Sequence, residues 1–84
     1  MGPIALSVKS ISRVVKLCSK VKRNNPNNER TAAMAQGMAV FVQHYGYVSQ
    51  KQAVWLCRNF DHWNVKRPSE LTNVAVASIR KYIK

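Results

Sequence analysis

Between Thr31 and Gln50 the chain carries no lysine, arginine, aspartate or glutamate. This uncharged run limits the possible folds more than any other feature. Its apolar part is too short for a bilayer span, which takes roughly 20 predominantly apolar residues, and Gln36, Gln43 and His44 interrupt it. A helix without charge in a water-soluble domain is expected to be shielded by neighbours. The small residues Ala32, Ala33, Ala35, Gly37 and Ala39 would let those neighbours approach closely. The run therefore predicts the central, most buried helix of the fold. Asn28 suits its N-cap, Glu29 complements the dipole in its first turn, and Gly46 suits its C-terminal stop.

The flanking segments also have helical periodicity. Over roughly Leu6 to Lys22, the apolar set Val8, Ile11, Val14, Val15, Cys18 and Val21 lies opposite Lys9, Arg13, Lys16 and Lys20. Its β-branched residues would also suit a strand over Ser12 to Val15, but the period favours a helix. The stretch from Arg23 to Asn28, "RNNPNN", is a loop by its asparagines and proline. Ser49 and Gln52 then form a capping-box pattern, with Val48 and Ala53 placed for the hydrophobic staple. The inward stripe of this third helix is Ala53, Leu56, Cys57, Phe60 and Trp63. "NVKRPSE" breaks it, and a last helix is expected from Ser69, with Leu71, Ala75, Ile79 and Tyr82 or Ile83 inward. The predicted fold is all-α. It is a single domain of residues 1–84, a compact four-helix bundle with a helix-turn-helix-like hairpin between the second and third helices.

Lys+Arg number 14 against 3 Asp+Glu, a formal charge of +11. Such an excess opposes compaction by self-repulsion and is ordinarily tolerated because an anionic partner neutralises it. It also excludes chemistry that needs grouped carboxylates. Glu29, Asp61 and Glu70 are the only ones, and helix starts account for two of them. Neither a GxxxxGK[ST] phosphate loop nor a His-Glu-x-x-His zinc motif occurs. Cys57 and His62 fall on opposite sides of one helix, which argues against a nucleophile–base pair. Cys18, Cys57, His44 and His62 have zinc-ligand types without zinc-ligand spacing. No catalytic residue, metal or cofactor is expected. The two cysteines are expected to be small core residues of a reduced, cytoplasmic protein without a secretory leader or membrane span.

Binding residues stand out more clearly. Lysines on a helix usually mark a solvated face, but such a face commonly alternates charge sign. Lys9, Arg13, Lys16 and Lys20 have no acid among them, and Lys22 and Arg23 follow. At 100° per residue, Lys51, Trp55, Arg58 and His62 share the outer arc of the third helix, opposite Leu56, Phe60 and Trp63. Lys66 and Arg67 lie in the following loop. Trp55 among bases suits stacking on a nucleobase, or else packs beneath the first or last helix. Gln50, Lys51 and Gln52 have the residue types with which a recognition helix reads base edges, although the turn before them is one residue longer than the common form.

The pattern Ser49-x-Lys51-Gln52-x-x-Trp55-Leu56, about a tenth of the chain, resembles one in small bacteriophage-encoded accessory proteins. That resemblance implies a phage or mobile-element origin and action on nucleic acid or on a host machine. The expected partner is nucleic acid, DNA or RNA, gripped by Lys9, Arg13, Lys16, Lys20, Lys51, Arg58, Lys66 and Arg67 with Trp55. The alternative is a phage-type inhibitor whose positive charge addresses an acidic surface of a host protein, such as a polymerase, nuclease or defence complex. A third class is a homo-oligomer joined through the uncharged second helix.

Overall fold

The computed structural model describes residues 2–76. Its elements are β1 (Ile4–Ala5), α1 (Val8–Arg23), α2 (Glu29–Tyr45), β2 (Tyr47–Val48) and α3 (Gln50–His62), with a short 3-10 turn at Ser69–Leu71. Each helix starts where its side chains supply an acceptor for an otherwise unsatisfied N–H. The Ser10 N–H donates to Ser7 Oγ before α1, and the Thr31 N–H donates to Asn28 Oδ1 before α2. Ser49 forms the expected reciprocal capping box with Gln52. Gly46 stops α2 at φ 72°, a left-handed conformation that glycine adopts without Cβ strain.

The two strands form a small antiparallel sheet with Ile4 opposite Val48 and Ala5 opposite Tyr47. The connection between α2 and α3 is therefore a sheet strand and not a free helix-turn-helix turn. The core gathers Val14, Leu17, Cys18 and Val21 of α1, Ala35 and Val42 of α2, and Val48 of β2 around Ala53, Leu56, Cys57 and Phe60 of α3. Leu71 completes it from the 3-10 turn.

The structure corrects several further expectations. The described residues hold three α-helices, not four. The helix expected from Ser69 is one 3-10 turn, and 72–76 continue without helix; Ala75 is exposed, while Ile79, Tyr82 and Ile83 lie outside the described residues. Arg67 Nη1 donates to the Leu71, Thr72 and Val74 carbonyls, acceptors that a continuing helix would use internally. Val8, expected inward, is 86% exposed, because the chain enters α1 from the sheet with its first residue at the rim. Trp63 is only partly buried. It is the C-cap residue of α3, where the inward stripe runs off the end of the core.

The largest correction concerns α2. Only Ala35 and Val42 are buried along it, whereas Met34 is 50%, Val40 53% and Tyr45 54% exposed. α1 packs along one side of α2, and among the described residues no further helix covers the other. Absence of charge does not imply burial. Apolar residues lie all round α2, more than a domain of this size has elements to cover.

Two intramolecular grips hold the segment after α3. The Asp61 carboxylate receives Arg67 Nε (3.0 Å) and Nη2 (2.6 Å). Glu70 receives the Ser7 N–H (2.7 Å) and Ser10 Oγ (2.6 Å), tying the 3-10 turn to the start of α1.

Two outcomes follow for stability. Gly37 lies on the open side of α2, and a Cβ there meets nothing within 4 Å. Gly37→Ala should therefore stabilise by about 0.5–1 kcal/mol through backbone entropy, raising the melting temperature by several degrees, and Gly37→Glu should melt close to the parent. Ala35→Glu, at a fully buried position, should unfold the domain. Calorimetry of the three variants checks this. For pH, the bonds from Ser10 and Ser7 hold the Glu70 carboxyl at about 2, below its ordinary 4.5. A depressed carboxylate stabilises the fold fully above its unfolded value and less as pH falls through the folded one. Melting temperature should thus fall between about pH 4.5 and 2, and Glu70→Gln should lower it at neutral pH while flattening that slope.

Candidate nucleic-acid interface

α1 displays its basic side towards the segment that follows α3. Arg13 Nη2 donates to the Lys66 carbonyl, and the Lys20 ammonium sits over the Trp63 ring, 5.2 Å from its centroid. That distance permits a cation–π attraction. Lys9 and Lys16 of α1 and Lys66 of the loop are exposed. The tertiary structure thus brings Arg13, Lys20, Trp63 and Lys66 together from positions far apart in the chain.

Beyond Lys20, a cleft of about 740 Å³ opens between the end of α1 and the outer face of α3. Trp63 and Trp55 line it with Arg58, His62, Asn24 and Asn25. The asparagines stand there because they close α1: Asn24 Nδ2 donates to the Lys20 carbonyl and Asn25 Nδ2 to the Val21 carbonyl, each at 2.7 Å. Asn59 Nδ2, one turn along α3, donates to the Trp55 carbonyl at 2.9 Å. The lining therefore combines flat aromatic surfaces, amides and a guanidinium. Among the described residues lining this cleft, Asp61 is the one carboxylate. The hydrogen bond from Arg67 holds its carboxyl below the ordinary value, and that ion pair engages its charge, leaving Arg58 as the cation that lines the cleft.

The predicted binding residues fall into distinct environments. Arg58 and Lys51 are exposed on α3, with Trp55 half-buried between them. Trp55 packs against the core and also lines two depressions, the cleft and an apolar groove towards α2 that Lys51 flanks. Arg67 differs from the rest: its guanidinium is engaged by Asp61 and three carbonyls, with 17% side-chain exposure, so it holds the fold together. Gln50 and Gln52 are engaged as well. Gln50 Nε2 donates to the Gly2 carbonyl (3.0 Å), and Gln52 Oε1 accepts the Ser49 N–H (2.8 Å). Neither is poised to read a base edge as a recognition helix does.

Sequence periodicity assigned Trp63 to the core. The signal that places it at the surface is its position just before "NVKRP", where the helix ends and Asn64 turns with φ 56°. The two histidines are exposed and the two cysteines buried, and among the described residues no group of His, Cys, Asp or Glu is arranged to hold a metal ion. Among the same residues no helix is long and apolar enough to cross a membrane. No protein-family model matches the chain, and comparison with curated proteins and with solved structures gives no significant match.

Burial pushes the Cys18 thiol up to about 11 and raises that of Cys57, whose sulfur also donates to the Leu71 carbonyl at 3.5 Å. Thiolate is the reactive form. Neither cysteine should react with a thiol reagent at neutral pH in the folded protein, and both should react at once in denaturant. Fast labelling of the native chain would show that the core opens around α1 or α3.

Proposed function

We propose that this chain is a non-enzymatic module that binds single-stranded nucleic acid, with Lys9, Arg13, Lys16, Lys20 and Lys66 along the phosphates and the Trp63–Trp55–Arg58 cleft accepting bases. The observation that carries this reading is the continuity of the basic side of α1 with that cleft through the Lys20–Trp63 contact. A single strand presents phosphates and unpaired bases side by side. A basic strip leading to aromatic faces matches that arrangement, and stacking is tolerant of sequence because every base has a π-face. A duplex would leave the tryptophans without partners. The role fits a small accessory protein of phage or mobile-element type acting in the host cytoplasm, in keeping with the resemblance of the Ser49–Leu56 pattern.

Fluorescence anisotropy with labelled single-stranded oligonucleotides tests this. Affinity should fall with salt by about 0.7 in log–log slope per phosphate neutralised. Lys16→Glu, at an exposed position, should weaken binding on all sequences alike and flatten the slope without altering the melting temperature. Trp63→Ala should cost roughly 1–3 kcal/mol of binding with the slope unchanged, and Trp63→Phe should recover part of it. Affinity insensitive to salt, or a duplex of equal length bound more tightly, would overturn the reading.

A further inference from the structure

We propose that the groove between α2 and α3 is a docking site for an amphipathic helix of a protein partner, one whose apolar stripe is flanked by carboxylates. The groove holds about 610 Å³ and lies on the α2 side of Trp55, sharing that residue and Arg58 with the cleft. Met34, Met38 and Phe41 form one wall at helical spacing, and Val54 and Trp55 form the other. Those α2 positions span about 10 Å at 1.5 Å per residue, two turns of a docked helix. The apolar surface continues past the groove, because Phe41 packs at a tilt against Tyr45 (4.7 Å between ring centroids) and meets Tyr47 edge-on (5.6 Å). Exposed aromatics next to a pocket are the side chains on which protein interfaces concentrate their affinity, and methionine walls adapt to varied apolar side chains.

Charge selects the occupant. Among the described residues, Lys51 and Arg58 are the charged ones that line the groove, and no carboxylate does. A second copy would bring another +11 against the same rim. The chain's own residues 77–84 carry Arg80, Lys81 and Lys84 and no acid, so they too are mismatched. An acidic amphipathic helix satisfies both the apolar walls and the basic rim, as in other helix-in-groove complexes. The groove shares Trp55 and Arg58 with the oligonucleotide cleft, but its α2 wall lies outside that cleft, and the site stands whether or not the cleft binds nucleic acid.

The methionines report on the groove directly, since Met34 and Met38 are in its wall and the remaining one of the 3 is Met1. The probe is a synthetic helical peptide with leucines at i, i+4 and i+7 and glutamates on the flanking positions. Two controls accompany it, one with the same composition in scrambled order and one with lysine for glutamate. Titration of the full chain labelled with ¹³C at the methionine methyls should shift Met34 and Met38 saturably, leave Met1 unmoved, and show neither effect with the controls. Met34→Glu, at a half-exposed position, should weaken the peptide at least about tenfold. Lys51→Glu should do so through the rim charge; both variants should keep the parent's melting temperature, and Met34→Glu should also keep its oligonucleotide affinity. Several results would overturn the proposal: equal binding of the scrambled peptide, equal binding of the lysine peptide, no shift up to about 1 mM peptide, or concentration-dependent shifts of Met34 and Met38 without peptide, which would mark a second copy as the occupant.

Discussion

Charge imbalance is the constraint under which this fold is assembled. With 14 basic side chains against 3 acidic ones, the compact state cannot rely on a web of surface ion pairs. Two of the three carboxylates act as tethers. Asp61 meets Arg67 in a two-pronged contact, and Glu70 receives the start of α1. Together they fix the segment from Pro68 to Leu71 so that Leu71 is fully buried beneath α3. The grips are partly exposed, so their value lies in geometry more than in net free energy. They close a small core that α1, α2 and α3 alone would leave open at one end.

Among the described residues no other cation has a carboxylate partner, and the fold sorts the cations. Arg67 is drawn inward by Asp61 and three carbonyls, whereas Lys9, Lys16, Lys51, Arg58 and Lys66 stay exposed. Arg13 and Lys20 are intermediate, each contacting the segment after α3 while bordering the basic side. That division separates cations that build the domain from cations available to a partner. Composition alone could not make it, because every lysine and arginine contributes equally to a sum of +11.

Trp55 joins the two surfaces on which the functional proposals rest. Trp55 lines both the cleft and the apolar groove, so the two depressions share a wall while differing in chemistry. The uncharged side of α2 supplies the apolar character of the second. A domain with three α-helices in its described residues has one element packed along α2, and its far side meets solvent with methionine, valine and tyrosine.

The sequence by itself determined the local elements and the sign of the surface. The capping box at Ser49, the glycine stop at Gly46, the buried stripe through Ala53, Leu56, Cys57 and Phe60, and the basic side of α1 all depend on neighbours within a turn or two. Such features are legible from spacing. The tertiary structure decided which faces are covered and which long-range partners meet. It paired β1 with β2, engaged Arg67, exposed the side of α2 that lacks charge, and placed Trp63 under Lys20 at the rim. The physical reason is that burial depends on how many elements are present to cover a face. A side chain's polarity sets the cost of leaving it exposed, but only the assembled chain determines whether anything lies against it.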